Sequence, residues 1–191
     1  MDLRTERTKH SIINAFIELR SKKPLEKITV KELSELAYIN KATFYSHYHD
    51  IYDLSEQLED ELISSALKSI PYPDNLIANP RQGVEELSLA LHSQNKLIHT
   101  LFADNRAPLF ATKLEAGLKD LIYKQYPDYK NNLECNILLS VLILGCLYAF
   151  TTYSTNDNLN DVVNIIGEIN DCLIQNYLVK IGVIVPSHSD M

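Results

Sequence analysis

Apolar residues recur at three- and four-residue spacing along most of the chain, which is the pattern of amphipathic helices rather than strands. Ile12, Phe16 and Leu19 share one face of a first helix, expected from about Arg4 to Arg20, with Ile13 and Ile17 beside them. Lys22, Lys23 and Pro24 end it. Thr29 and Glu32 then form a Thr-x-x-Glu capping box, and Leu33, Leu36 and Ala37 mark the buried stripe of a short second helix. Ala37-Tyr38-Ile39 reads as a turn, with Asn40 as the cap of a third helix, also short. On that helix Ile39, Phe44 and Tyr48 fall on one inward face, leaving Lys41, Thr43, Tyr45 and His47 toward solvent. Asp50 caps a fourth helix running to about Ser69, and Asp53 in its first turn suits the positive end of the helix dipole.

Beyond the Pro71-Tyr72-Pro73 stop the same periodicity predicts helices over about Arg81–Gln94, Lys96–Ala103, Ala107–Tyr126, Asn131–Tyr153 and Leu159–Lys180. A polar loop, Ser154 to Asn158, separates the last two, and Gly182 and Pro186 lie in a tail expected to be loosely ordered. The longest apolar run, Ile137 to Phe150, is interrupted by Ser140, falls short of a bilayer span, and reads as a central buried helix. Its stripe Leu138, Leu142 and Cys146 is joined by Leu139, Ile143 and Leu147, so it needs cover on several sides. The final helix carries a wide stripe of Leu159, Val162, Val163, Ile166, Ile169, Leu173 and Tyr177. These last two long helices are the candidates for pairing with a second copy.

The fold class is therefore all-α, and the segment from Thr29 to Leu54 is its most specific part. Short helices joined by a tight turn are a device for carrying a helix into the DNA major groove. Ile12-Ile13-Asn14-Ala15-Phe16, Ile28-Thr29-Val30-Lys31-Glu32-Leu33 and Lys41-Ala42-Thr43-Phe44-Tyr45-Ser46-His47-Tyr48 carry a family resemblance. On these residues, positions 8–62 resemble the DNA-binding head of the tetracycline-repressor (TetR) family of bacterial transcription regulators. The resemblance implies a three-helix, helix-turn-helix head over residues 1–49 and a helical effector-binding and dimerisation body over 50–191. It implies a DNA surface made of Thr29, Lys31, Lys41, Ala42, Thr43, Tyr45 and His47, with His49 a weaker candidate. It also implies a homodimer joined in a four-helix bundle by the last two long helices, a pseudo-palindromic double-stranded operator, and release by a small-molecule effector. The family often has Gly where this chain has Tyr38, and a phosphate-binding Lys where it has Ile51.

Composition fits that division. The net charge of −7 is divided unevenly: residues 1–50 hold nine Lys/Arg against seven Asp/Glu, and residues 51–191 nine against eighteen. A mildly basic head on an acidic body makes the DNA face local and its affinity dependent on two heads. Cys135, Cys146 and Cys172 sit in apolar helical stretches without C-x-x-C spacing, as core thiols of a reducing cytoplasm, not zinc ligands. The charged N-terminus, Met-Asp-Leu-Arg-Thr-Glu-Arg, has no signal-peptide core, and a cytoplasmic protein without membrane partner is expected. His92 and His99, about 10 Å apart on a continuous helix, are too distant to share a metal. Phe102, Phe110, Tyr123, Tyr126, Tyr148 and Tyr153 suit either a helical core or the lining of an effector cavity. No Gly-rich phosphate loop, G-x-S-x-G or H-E-x-x-H motif is present, so neither an enzyme nor a resident cofactor is expected. The alternative to a regulator is a helical interaction module acting through a protein partner.

Overall fold

A computed structural model describes residues 3–155 and 157–180, and among them every regular element is helical. The elements are α1 (Leu3–Arg20), α2 (Val30–Leu36), α3 (Lys41–Tyr45), α4 (Ile51–Lys68), α5 (Asn75–Ala78), α6 (Pro80–Ser93), α7 (Asn95–Leu101), α8 (Ala107–Gln125), α9 (Leu133–Tyr153) and α10 (Leu159–Lys180). Short 3-10 turns at Leu25–Lys27, Asp104–Arg106 and Pro127–Asn131 link them. The long helices lie where the apolar period places them, within two residues at each end. The period gives no sign of α5, because one turn of helix is too short to show it. The expected tail at Gly182 and Pro186 lies outside the described residues, as does Asn156 of the expected polar loop.

The chain divides into two compact units. The first comprises residues 1–62 together with 95–109, so α7 and the Asp104–Arg106 turn join the N-terminal helices, and the boundary falls inside α4. Its wholly buried side chains include Ile12, Phe16, Leu33, Phe44 and Leu54, the inward faces of α1 to α4. Removing each such side chain from water stabilises the fold by roughly 1.5–3 kcal/mol. Two arginines fasten the returning segment. Arg20, at the buried end of α1, pairs with Asp104 at 3.0 Å and donates to the Ala103 carbonyl at 3.2 Å. Arg106 donates from Nε and Nη2 to Oε1 of Glu59 at 3.1 and 2.5 Å, and the Ser55 hydroxyl donates to the same oxygen. Glu59 is fully buried on α4, so this pairing is what allows a carboxylate to lie there.

The second unit comprises residues 63–94 and 110–191. Its core gathers Ile77, Ile122, Tyr129, Cys135, Leu139, Leu142, Ile174 and Leu178. α10 packs closely on α6: a Cβ built on Gly167 would stand 3.0 Å from the Arg81 Cα, so a larger residue there would have to push the two helices apart by a few tenths of an ångström. α8 meets α9 through a polar link in which Lys119 donates to the Ser140 hydroxyl, which donates to Glu115 at 2.6 Å. Lys119 also donates directly to Glu115 at 2.8 Å, and that bond first, with the Ser140 bond second, holds the Glu115 carboxyl below its ordinary range.

Three expectations are corrected here. α9 is not a centrally buried helix: Cys135, Leu139 and Leu142 are buried, while Leu133, Ile137, Val141, Leu144 and Tyr148 are exposed along its other side. A helix apolar all round cannot signal which side its own subunit covers, and at 21 residues α9 is long and apolar enough to cross a membrane. The α10 stripe separates into two. Val163, Ile166, Asn170, Ile174 and Leu178 face inward, while Ile165, Ile169, Leu173 and Tyr177 are exposed. Cys172 shares that outer side and is exposed, so only Cys135 is a fully buried thiol, Cys146 being half-buried.

Candidate nucleic-acid interface

The polar face of α3 is held out by a sequence of local caps. Thr29 opens α2, its hydroxyl oxygen accepting the Glu32 N–H at 3.3 Å. The other half of the expected box is not formed: the Glu32 carboxylate is ion-paired with Lys23 instead of returning to Thr29. α2 ends in a left-handed turn. Tyr38 has φ 55°, its N–H donates to the Glu35 carbonyl at 3.3 Å, and the Ile39 N–H donates to the Ser34 carbonyl at 3.0 Å. This is the helix ending that usually takes glycine, which explains why Gly is common at that position in the resembled family. A tyrosine there costs on the order of 1–2 kcal/mol. The two hydrogen bonds offset that cost by satisfying carbonyls at the helix end.

Asn40 then caps α3, its Oδ1 accepting the Thr43 N–H at 2.7 Å and the Thr43 hydroxyl at 3.0 Å. Phe44 is fully buried and Tyr48 nearly so, their rings 5.8 Å apart, which fixes the rotation of α3 about its axis. Asp50 caps α4 by accepting the Asp53 N–H at 2.8 Å, and Asp53 accepts the His49 N–H at 2.8 Å and the Gln57 side chain at 2.9 Å. The His49 bond first, and then Gln57, keeps the Asp53 carboxyl below its ordinary range.

With the backbone so fixed, Lys41, Ala42 and Tyr45 come together on the exposed side of α3, opposite Phe44. Lys41 has no ion-pair partner among the described residues, which leaves its ammonium to solvent. Tyr45 packs edge-on against Phe44 with ring centroids 5.5 Å apart and keeps more than half its surface exposed. Thr43 is half-buried; its hydroxyl hydrogen is committed to Asn40, so its methyl group is the part left for a neighbour. His47 is also half-buried, beside the Tyr48 ring. Thr29 and Lys31 stand exposed at the start of α2, Lys31 only 4.0 Å from Glu35 in a weak surface pair. His49 is exposed in the loop before α4. Ile51, where the resembled family often has Lys, is buried and serves the core.

The chain matches no family model, no curated protein and no solved structure. The resemblance to the tetracycline-repressor family therefore rests on the residues quoted for it.

Two features escaped the sequence reading. Tyr38 is 96% exposed two residues before the α3 cap, Asn40, an aromatic ring held out at a strained backbone position. Its strain was legible in the turn, but its exposure was not. The second feature is a cavity of about 90 Å³ inside the C-terminal unit. It is lined mainly by aliphatic side chains from α6, α8, α9 and α10, such as Leu118, Leu142 and Ile166, with Phe150 its sole aromatic. None of the six aromatics weighed as cavity lining reaches it. Phe102 and Phe110 are buried, Tyr123 and Tyr126 flank the core, and Tyr148 and Tyr153 are exposed. His92 and His99 are exposed on separate helices. No cluster of metal-ligating side chains occurs among the described residues.

Proposed function

We infer that this chain is a DNA-binding transcription regulator, a repressor of the helix-turn-helix type acting as a homodimer on a pseudo-palindromic operator. The observation that carries the reading is the α2–turn–α3 unit. Two capped short helices and a left-handed turn hold a five-residue helix with its Phe44 buried and direct Lys41, Ala42 and Tyr45 outward together. Lys41 suits a phosphate or a guanine edge, the Ala42 and Thr43 methyls suit thymine, and the Tyr45 hydroxyl suits a phosphate. Thr29, Lys31 and His47 extend the same surface as backbone contacts.

A monomer head of this modest charge binds weakly, so dimerisation is part of the mechanism. The exposed sides of α9 and α10 supply two apolar faces large enough to need cover. We assign that cover to a second copy rather than to lipid, because the opposite side of α9 is built into a protein core and tied through Ser140 to Glu115 and Lys119. Two heads about 34–36 Å apart then read half-sites one helical turn apart. An effector bound in the C-terminal unit releases DNA by favouring an arrangement in which the heads no longer fit two half-sites. It acts only through its differential affinity for that arrangement.

Selection from random-sequence DNA, followed by anisotropy titration of the enriched duplex, tests the assignment. Lys41→Ala and Tyr45→Ala should each weaken binding by about tenfold, the loss of one good contact, while melting temperatures stay within a degree or two of wild type. Unchanged affinity in both variants would remove α3 from the interface.

A further inference from the structure

The cavity in the C-terminal unit has a chemistry specific enough to name what it takes. None of its lining side chains is charged, and the polar exceptions to its aliphatic wall are Ser88, Cys146 and Asn170. Asn170 sits at the centre of the inward stripe of α10, four residues from both Ile166 and Ile174, and is 9% exposed. The Cys146 thiol donates to Asn170 Oδ1 at 3.1 Å. That bond turns the amide so that Nδ2 is left as the donor, and among the described residues Nδ2 finds no acceptor. Burial raises the Cys146 thiol above its ordinary range, so it stays protonated in that role and is a poor nucleophile. Asn170 lines the cavity, so a guest's acceptor atom can meet the Nδ2 donor that no acceptor among the described residues takes.

We propose that this cavity is a binding site for a small uncharged aliphatic molecule bearing one hydrogen-bond acceptor, such as a ketone, ester or alcohol oxygen, received by Asn170 Nδ2. The wall excludes a carboxylate or ammonium, because no counter-charge lines it and the desolvation of an ion goes uncompensated. The size agrees. An engineered apolar cavity of about 150 Å³ accepts benzene, so about 90 Å³ holds roughly four non-hydrogen atoms, and the open mouth lets a longer chain continue outward. The part such a guest plays as the effector rests on the regulator reading, but its binding does not.

The test is a methyl-NMR titration of the full chain with 2-butanone and, separately, butyrate, without DNA. Saturable shifts at Leu118, Leu142 and Ile166 with 2-butanone, at a Kd on the order of 1 mM, and none with butyrate at tenfold higher concentration are expected. Asn170→Leu, which keeps the volume and removes the amide, should weaken 2-butanone about fivefold. Ser88→Leu, which fills the cavity, should abolish its binding, and the two-probe comparison on the native chain needs neither variant. Absence of saturable shifts with the ketone, equal binding of butyrate, or native ketone affinity in both variants would overturn the proposal. Anisotropy on the same sample separates the two readings. Ketone binding without DNA binding keeps the site and removes the regulator, and DNA binding without ketone binding does the reverse.

Discussion

At the scale of single residues, two buried tyrosines show most directly how this sequence sets its own limits of stability. The hydroxyls of Tyr48 and Tyr129 are buried and find no hydrogen-bond partner among the described residues. Burial is the main cause that pushes each phenol from 10.0 up to about 12, with Glu61 and Asp53 adding to it at Tyr48, and Cys135 and Tyr126 at Tyr129. In the unfolded chain both phenols lose their protons near pH 10, whereas the folded chain holds them to about pH 12. Stability that is fully present below pH 10 is therefore lost progressively as the pH rises through that window. Phenylalanine at both positions should not lower stability at pH 7 and should raise it by about 1 kcal/mol or more, since each removes a buried hydroxyl that has no partner among the described residues. It should also move alkaline unfolding upward when followed by circular dichroism. A marked loss at pH 7 would mean that these hydroxyls are satisfied. Tyr38 belongs to the same scale: its strained, exposed position is a cost without a packing return, which is what a side chain kept for an outside contact looks like.

Elements come next, and here the pairing of Arg106 with Glu59 makes the clearest demand. The Asp104–Arg106 turn is held to the first unit by that pair and by Arg20, across a backbone in which Asp104 has φ 60°. Arg106→Ala withdraws two N–H donors from a fully buried carboxylate and should cost about 3 kcal/mol in urea unfolding. A cost below about 0.5 kcal/mol would show that the carboxylate does not depend on it. Helix positions and caps were legible in the sequence because their causes are local. A 3.6-residue period, Thr29, Asn40 and Asp50 each act within a few residues of themselves. The rest depends on contacts between distant segments. Nothing near Glu32 in sequence announces that Lys23 captures it. The association of residues 95–109 with the N-terminal helices is set by Arg20 and Glu59, residues 83 and 47 positions away from their partners. Part of the outward face of α3 was legible because Phe44 and Tyr48 fix its rotation, whereas Thr43 and His47, expected toward solvent, are half-buried. The cavity was hidden among aliphatic residues that any helical core would use, and its one sequence signal was Asn170 between Ile166 and Ile174.

For the whole molecule, the proposed regulator would join the uncovered sides of α9 and α10 to the exposed side of α3, because two-fold pairing would turn a weak head into a selective one. Val141 and Ile169 stand exposed on α9 and α10, and glutamate at both positions should convert a dimer to a monomer in sedimentation velocity while the helical circular-dichroism signal is kept. A native oligomeric state in that double variant would place the pairing surface elsewhere. The same variant should lose most of its DNA affinity, since each head alone makes few phosphate contacts. The most direct measurement is fluorescence anisotropy of the native chain with the duplex enriched from random DNA, against a scrambled duplex, over a series of salt concentrations. The account predicts selective binding to an inverted repeat, with affinity falling steeply as salt rises and a shallower slope for Lys41→Ala. Equal, weak binding to both duplexes, or binding that does not respond to salt, would contradict it.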